Sequence, residues 1–276
     1  MVSGFLEISK HTLHKYTILR KYFEACLRFQ AKYRNFSYVD THAGSGRVLF
    51  EGHEQFGSPL IAVTSPVHPQ AYVVEINEAR RLLLRKSVAE IPNVEIFDGD
   101  CNKRIDGILN RIQPWKFAFC FLDPDGLVYD DGTTRCFQLT WQTIEQIGKR
   151  SNSEMLINFR SQDILRCIGD IEREPNRGQK LSEDIDALLG VSTWRSRRQT
   201  RFTLRDLFLD RLHGLGYGYL GAINIKTDLE GHQYYLIYAS HHNVGAKIMK
   251  SNFKFEWGFD LLIDPPINRF IYDSAI

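Results

Sequence analysis

Long apolar stretches are absent from this sequence. None of its 276 residues falls in a run of about 18 or more apolar residues, the length that a membrane-spanning helix requires. Residues 1–16, MVSGFLEISKHTLHKY, have no long apolar core followed by a small-residue cleavage site, so no signal peptide is expected. Charge of one sign is not in excess, since the net charge is only +2. We therefore expect a cytoplasmic protein with no membrane partner.

Cysteine is scarce and scattered. The five cysteines show no C-x-x-C spacing, and they are Cys26, Cys101, Cys120, Cys136 and Cys167. An odd number without paired spacing argues against a disulfide framework and against a zinc site. A reducing cytoplasm is the simplest setting for such a chain. The sequence predicts no bound metal.

Apolar strands and helical patterns alternate over residues 36–160. The predicted strands are NFSYVDT, AYVVEIN (71–77), NVEIFDGD (93–100), KFAFCFLDP (116–124) and EMLINFR (154–160), with helices between them. Continuously apolar strands in this alternation predict a parallel sheet that is covered by helices on both faces. Because crossover connections are right-handed, a doubly wound α/β sheet is the expected form.

The pattern changes after residue 160. Residues 161–215 are polar and helical, and residues 217–240 then predict two strands around a turn at 229–231. Five parallel strands followed by a hairpin is the order of class I S-adenosylmethionine methyltransferases, whose seven-stranded sheet carries an antiparallel last strand. By this analogy we expect a single methyltransferase-like domain over 1–276. It has a helical extension at 1–35 and a helical insertion at 161–215.

The loop YVDTHAGSG, residues 38–46, follows the first strand, where open α/β sheets bind ligands. Gly44 and Gly46 let the backbone turn sharply and approach a ligand. Leu49 stands where the dinucleotide pattern G-x-G-x-x-G has its third glycine, and the next helix is expected only at Ser58, as N-cap. A pyrophosphate at that helix N-terminus is hard to build from this spacing. The loop favours S-adenosylmethionine, which has no phosphate, over a nicotinamide dinucleotide.

Three acids end three successive strands. Glu75 can accept hydrogen bonds from both ribose hydroxyls, and Asp100 can accept one from an adenine amino group. Asp40 is expected to face the methionine end of the ligand. The candidate cofactor-binding residues are Asp40, Ala43, Gly44, Gly46, Glu75, Asp100 and Cys101. The alternative is that each acid only caps a turn.

The segment FLDPDG, residues 121–126, follows the fourth strand. Asp123 is the candidate catalytic residue, which orients or deprotonates the acceptor. Methyltransferases that modify base amines often carry two prolines and an aromatic residue here. In this chain Pro124 is followed by Asp125, and Tyr129 is the next aromatic residue. These three residues are candidate substrate contacts, and the alternative is a plain turn.

A basic and aromatic segment, WRSRRQTRF, covers residues 194–202. Arg195, Arg197 and Arg198 can pair with phosphates, and Trp194 can stack on a base. These arginines are candidate contacts to a nucleic acid. The alternative is a solvated face beside a buried aromatic side chain.

Several stretches resemble the three-Cys-motif partner proteins of bacteria and archaea. They run in family order over most of the chain and are YTILRKYFEA, YVDTHAGSGRV, FGSPLIAV, GDCNKRI, FCFLDPDGL, LINFRSQDILR and YYLIYASHHNVGAKIMK. The resemblance implies a methyltransferase-like fold and a link to a phage-related, radical-SAM-like three-Cys-motif protein. It brings no established substrate. His42 stands where this family commonly has an aromatic residue, and we expect it to be a filler.

Two functions therefore stay open. One is an S-adenosylmethionine-dependent methyltransferase that acts on a nucleic acid or a nucleotide-type acceptor. The other is a non-catalytic binding module that assembles with the radical-SAM-like partner. A nicotinamide-dependent oxidoreductase is disfavoured by the missing third glycine and the late helix.

Overall fold

The computed structural model describes residues 5–27, 36–226, 232–257, 262–264 and 268–272. The helices in these ranges are α1 (Lys10–Leu27), α2 (Ser58–Val63), α3 (Glu78–Ser87), α4 (Cys101–Arg111), α5 (Trp141–Gly148), α6 (Ser161–Arg173), α7 (Pro175–Leu189), α8 (Arg201–Gly214) and α9 (Asn243–Trp257). The strands are β1 (Ser37–Asp40), β2 (Arg47–Phe50), β3 (His53–Phe56), β4 (Gln70–Glu75), β5 (Val94–Asp98), β6 (Ala118–Leu122), β7 (Val128–Asp130), β8 (Arg135–Phe137), β9 (Ser153–Phe159), β10 (Tyr219–Lys226), β11 (His232–Ser240), β12 (Leu262–Asp264) and β13 (Asn268–Tyr272).

The main sheet has nine strands in the described part of the chain, in the order β12-β13-β10-β11-β9-β6-β1-β4-β5. Strands β5, β4, β1, β6 and β9 are parallel, and β11 is antiparallel to both β9 and β10. The seven strands from β5 to β10 confirm the predicted doubly wound, mostly parallel sheet. Strands β13 and β12 extend its edge beyond that prediction. The predicted turn at 229–231 lies outside the described residues.

Both faces of the sheet are buried, which explains the continuous apolar strands. In β6, Phe119 and Phe121 pack with α1, α2 and α9 on one face. Cys120 and Leu122 point to the other face, where helices α4 to α8 pack. Because side chains alternate along a strand, each face needs its own set of apolar residues.

Helix α1 lies on the sheet rather than projecting from it. It buries Ile18, Leu19, Tyr22 and Phe23 at helical spacing, and the Tyr22 ring stacks on Phe119 with centroids 4.4 Å apart. The helix begins at Lys10, within the predicted helical extension 1–35. This packing brings the first turns of α1 toward the carboxyl ends of the strands.

A hairpin explains why α2 begins so late after the glycine loop. Strands β2 and β3 pair with each other, and the Gly57 N–H then donates to the Gly46 carbonyl at 2.8 Å. The chain therefore returns to the loop before α2 starts. The N-cap is Gly57, not Ser58 as predicted, because the Ser58 hydroxyl donates to Asp40 at 2.6 Å instead of capping the helix. Helix α4 begins at Cys101, directly after the end of the predicted strand 93–100.

Candidate functional site

A cavity of about 210 Å³ opens beyond the carboxyl ends of β1, β4, β5 and β6. Strand β1 has β4 on one side and β6 on the other, so the strand order reverses here. Open α/β sheets bind their ligands at such a point. The cavity lining includes nine of the predicted residues: Ala43, Gly44, Gly46, Glu75, Asp100, Cys101, Asp123, Asp125 and Tyr129.

The two glycines of the loop serve different purposes. Both have a positive φ, +63° at Gly44 and +76° at Gly46, which favours glycine. A Cβ on Gly44 would meet no atom within 4 Å, so that backbone borders open space in the cavity. A Cβ on Gly46 would lie 3.0 Å from Leu84 Cδ1 and 3.1 Å from Ser87 Cβ. Gly44 leaves room for a ligand, whereas Gly46 lets the loop pack against α3.

The Glu75 carboxylate connects the ends of β1 and β4. One oxygen accepts the Gly44 N–H at 2.7 Å, and the other accepts the Asn77 N–H at 2.8 Å. Burial raises the pKa of Glu75, while these hydrogen bonds and the Arg80 charge oppose the rise. A carboxylate has about four lone-pair sites, so it can accept further bonds from ligand hydroxyls.

Asp100 and Cys101 begin helix α4. Asp100 is its N-cap, and its Oδ1 accepts the backbone and side-chain N–H groups of Asn102, both at 2.9 Å. The Cys101 thiol donates to the Gln138 carbonyl at 3.1 Å. Burial raises the pKa of the Cys101 thiol, which therefore stays protonated. Only its backbone N–H is suited to contact a ring nitrogen of a ligand, because the first N–H groups of a helix are not used within it.

Asp40 lies behind the glycine loop and not in the cavity lining, contrary to the expectation that it faces the ligand. Its Oδ2 accepts the Tyr38 hydroxyl at 2.8 Å and the Ser58 hydroxyl, and its Oδ1 accepts the His42 N–H at 3.1 Å. Burial raises the pKa of Asp40 to about 7. Asp40 is the last residue of β1, and its side chain is fully buried. Through the bond from the His42 N–H it fixes the start of the glycine loop.

His42 ties the loop to the segment after β8. Its Nδ1 lies 2.8 Å from Thr41 Oγ1, and its Nε2 lies 3.0 Å from the Gln138 carbonyl. Because a carbonyl only accepts, Nε2 carries the hydrogen. Burial lowers the pKa of His42 and favours the neutral ring. His42 therefore has a positional part in the cavity wall as well as filling space.

Asp123 is paired with a residue that the sequence analysis missed. Lys15 of α1 donates to both of its carboxylate oxygens, at 2.6 and 2.8 Å, and the Lys15 side chain is buried. Asn158 Nδ2 donates to Asp123 Oδ1 at 2.8 Å and to the Pro124 carbonyl at 3.2 Å. The sequence feature that could have indicated Lys15 is its position inside the apolar stripe of α1, beside Tyr16. Its partner 108 positions away could not be read from the sequence.

Two of the three predicted substrate residues that follow Asp123 line the cavity. Asp125 is exposed and pairs with Arg80 at 3.2 Å. Tyr129 belongs to the hairpin β7–β8, and its hydroxyl donates to Asp131 at 2.9 Å. Pro124 is not part of the cavity lining, and only its carbonyl takes part in the Asn158 network. The hairpin itself was not predicted.

The three predicted arginines of the basic segment do not line the cavity. Arg195 donates to both oxygens of Asp186, at 2.9 and 2.7 Å, and lies over the Trp194 ring. Trp194 is buried and donates to the same carboxylate at 2.7 Å, so it is not available to stack on a base. Arg197 and Arg198 are exposed. Of the three arginines, Arg195 is therefore neutralised by Asp186, whereas Arg197 and Arg198 face solvent.

An ion pair joins β8 to α7, the helix that also holds the basic segment. Arg135, in β8, donates to Asp184, in α7, at 2.8 Å, and Asp184 is buried. Asp186, which holds the basic segment, lies two residues later in the same helix. The next two residues of β8, Cys136 and Phe137, line the cavity. The basic segment and the cavity therefore share α7 and the β7–β8 hairpin as supports.

Within the described ranges, no helix is long and apolar enough to cross a membrane. No group of three or more histidine, cysteine, aspartate or glutamate side chains among those residues is arranged to hold a metal ion.

No protein-family model matches the sequence, and no curated protein matches it significantly. Among solved structures, the chain is similar to LPL1258, a DUF519 protein of Legionella pneumophila str. Philadelphia 1. The TM-score is 0.51 at 12% identity, over 90% of this chain and 93% of that chain. Lower scores are found with M. jannaschii TYW2 in complex with AdoMet (0.42, 11% identity, 84% and 76% covered) and an rRNA methylase from Streptococcus thermophilus (0.40, 12%, 87% and 98%).

Similarity at these identities concerns the fold alone. The strand order and the antiparallel β11 give the chain a class I methyltransferase-type fold, as expected. The resemblance to the three-Cys-motif partner proteins stays a prediction.

Proposed function

We propose that the chain binds S-adenosylmethionine in the cavity and transfers its methyl group to a nucleic acid or a nucleotide-type acceptor. One observation carries the proposal. The open backbone at Gly44, the Glu75 carboxylate and the N-terminus of α4 converge on one cavity at the switch point of the sheet.

The residues in the cavity fit this ligand. The space that a Cβ on Gly44 would enter suits close approach of the methionine end to the backbone. Glu75 holds the ribose hydroxyls, and Asp100 with the Cys101 N–H holds the adenine. When bound, S-adenosylmethionine supplies a methyl group on a positively charged sulfur. Asp40 shapes the loop from behind and makes no direct contact.

Asp123 acts on the acceptor side. It follows β6, next to the glycine loop, and it lines the same cavity. The Lys15 ammonium donates to the Asp123 carboxylate, a hydrogen-bond acceptor that orients the incoming group. Alignment of donor and acceptor supplies much of the rate in a methyl transfer. Asp123 is thus proposed as a positioning group for the acceptor.

The proposed acceptor class rests on Arg197 and Arg198. Both are exposed and lie just beyond a segment that Asp186 fixes in place. Through α7 this segment shares its support with the cavity wall. Exposed arginines held in this way suit the phosphates of a nucleic acid whose base or sugar enters the cavity.

A second function, that of a non-catalytic binding module, is favoured because the Asp123 carboxylate already has a partner within the chain. Lys15 takes both of its oxygens, and the second proline and adjacent aromatic of a base-amine site are absent after Pro124. A chain that keeps the fold without transfer would serve as a binding module for a radical-SAM-like three-Cys-motif protein. Binding of that partner by a protein that does not bind the cofactor would favour this alternative.

The first experiment is titration calorimetry with S-adenosylhomocysteine, with NAD as the control ligand. We expect binding of S-adenosylhomocysteine alone, and a loss of about tenfold or more in affinity for Glu75→Ala, because a hydrogen bond to a charged group contributes about 1.5–3 kcal/mol. Glu78→Ala is the matched control, since Glu78 is exposed and lies outside the cavity lining. Absence of binding to the wild-type protein would contradict the proposal.

A further inference from the structure

The Asp123 subsite is already filled by donors of the chain itself. Lys15 donates to both carboxylate oxygens, and Asn158 Nδ2 donates to Oδ1 and to the Pro124 carbonyl. These oxygens are the acceptors that a substrate N–H would otherwise use in this subsite. An ammonium group from α1 therefore stands where an amine substrate would be expected.

Lys15 occupies a position that joins the subsite to the cavity. Its side chain is buried and lines the cavity together with the glycine loop and Glu75. Its ammonium also lies 5.4 Å from the centre of the Tyr234 ring. A buried lysine is costly unless paired, and here the carboxylate and the ring compensate that cost. The geometry is that of a bound cation held by an acidic and aromatic pocket.

One acceptor beside this pocket has no donor. Asn158 is only 3% exposed, and its Oδ1 has no hydrogen-bond partner. The Nδ2 of the same amide is bonded to Asp123, so the Asn158 side chain packs directly behind the subsite, outside the residues that line the cavity. Buried acceptors are normally paired, and an unpaired one indicates a missing donor.

We propose that the Asp123–Asn158 subsite binds a primary amino group, and that Lys15 is its resident occupant, which an amine substrate must displace. This proposal deepens the proposed function, on which its acceptor rests, by naming the exocyclic amino group of a base as the group that enters. Bases without such a group leave Lys15 in place. Lys15 thereby determines which acceptors reach the cavity.

Chemical rescue tests the subsite without any methyl transfer. Lys15→Ala removes the occupant and leaves the largely buried Asp123 carboxylate without its cation, and we expect the Tm to fall by about 5–10 °C. Ethylammonium should then raise the Tm of this variant by about 3 °C or more and leave the wild-type protein unchanged. Tetramethylammonium, which has the same charge and no N–H, should have no such effect.

Two variants control the rescue. Lys10→Ala removes an exposed lysine from the same helix and should show no response to ethylammonium. Lys15→Ala combined with Asp123→Asn should lose the response, because the carboxylate is gone. The proposal is overturned if ethylammonium stabilises Lys15→Ala no more than it stabilises the wild-type protein, or if tetramethylammonium works equally well.

If Lys15→Ala does not fold, chemical acetylation of Lys15 in the wild-type protein tests whether a substrate amine displaces this side chain from Asp123. The acetylated fraction is measured by mass spectrometry, with a single-stranded oligonucleotide of adenine and cytosine or with oligothymidine, which has no exocyclic amine. We expect reactivity at Lys15 to rise several-fold with the first only. Equal reactivity in both complexes would refute displacement. Failure of both oligonucleotides to bind would refute the nucleic-acid acceptor, while S-adenosylhomocysteine binding reports separately on the cofactor site.

Discussion

Gly190 and Gly132 are both required by a positive φ, but they differ in how closely other atoms approach them. Gly190 follows α7 with a φ of +65°, and a Cβ there would overlap the Trp141 ring. Gly132, in the turn between β7 and β8, has a φ of +85° and no atom within 4 Å of the position of a Cβ. The two sites share the left-handed backbone, and only Gly190 adds a close contact in the core.

Alanine at these two glycines should therefore have unequal effects. We expect Gly132→Ala to cost about 1 kcal/mol for the positive φ. Gly190→Ala should cost about 3 kcal/mol or more, since overpacking adds to the same backbone strain. Urea unfolding of both variants measures the difference. Equal losses of stability would mean that the Trp141 ring moves away from the added Cβ with no loss of packing energy.

Asp40 gives the folded protein a pH dependence of its own. Its pKa rises from 3.8 to about 7 in the fold because the side chain is buried. The contribution to stability is fully present below pH 3.8 and is lost as the pH rises through 7, where the buried group must ionise. The loss is at most about 4 kcal/mol.

Asp40→Asn should remove this pH dependence, because an amide does not ionise. We expect the stability difference between wild type and variant to shift in favour of the variant between pH 4 and pH 8. Urea unfolding at several pH values gives both curves, and their difference cancels groups that titrate alike. Parallel curves would place the carboxylate of Asp40 at an ordinary pKa.

Helix α9 and helix α1 are joined to the sheet through a buried carboxylate. Glu154, in β9, accepts hydrogen bonds from the hydroxyls of Tyr22 and Tyr238, and Ser240 Oγ donates to it at 2.9 Å. A Cβ on Gly245, at the start of α9, would overlap Glu154 Oε1. The absence of a side chain lets α9 close over this polar group.

Glycine-to-alanine substitutions in α4 and α9 should therefore change the stability of the protein in opposite directions. Gly107, in α4, is exposed, and a Cβ there would meet nothing within 4 Å. Gly107→Ala should stabilise the protein by about 0.5–1 kcal/mol through helix propensity. Gly245→Ala should destabilise it by about 2 kcal/mol or more, because α9 must move away from Glu154. Thermal unfolding of both variants checks the signs, and a stabilising Gly245→Ala would contradict this packing.

The overall charge of the chain is nearly balanced, so any attraction to nucleic acid depends on local groups. Arg166 and Arg173 are paired with acids on their own helix. Arg197 and Arg198 are exposed beside the support of the cavity wall. Two pairs of arginines with equal formal charge thus differ in what they offer to a phosphate.

Removing these two pairs should have different effects on oligonucleotide binding. For Arg197→Ala with Arg198→Ala, we expect the slope of log K against log salt to become shallower by about 1.4, one phosphate contact for each arginine. Arg166→Ala with Arg173→Ala should leave the slope nearly unchanged. Fluorescence anisotropy with a single-stranded oligonucleotide at several salt concentrations measures both slopes. Equal slopes would remove the basic segment from the interface.

Particular elements show where sequence reasoning sufficed. The strands around Val39, Val73 and Phe119 were found because continuous apolar runs are required where both faces of a sheet are buried. The hairpins β2–β3 and β7–β8 were missed, since most residues of their short strands, such as RVLF and HEQF, are half-buried or exposed and show no apolar alternation. Glu75 and Asp100 were placed in the cavity by their positions at strand ends alone.

The sequence by itself determined the sheet and its switch point, because burial on two faces and right-handed crossovers leave few topologies open. It also determined which strand ends carry acids and glycines. Only the tertiary structure decided the orientation of Asp40, the capture of Asp123 by Lys15 and the neutralisation of Arg195. These features depend on side-chain directions and on partners far apart or on other elements. Local patterns of residues do not encode such distances, whereas the packing of helices on the sheet sets them.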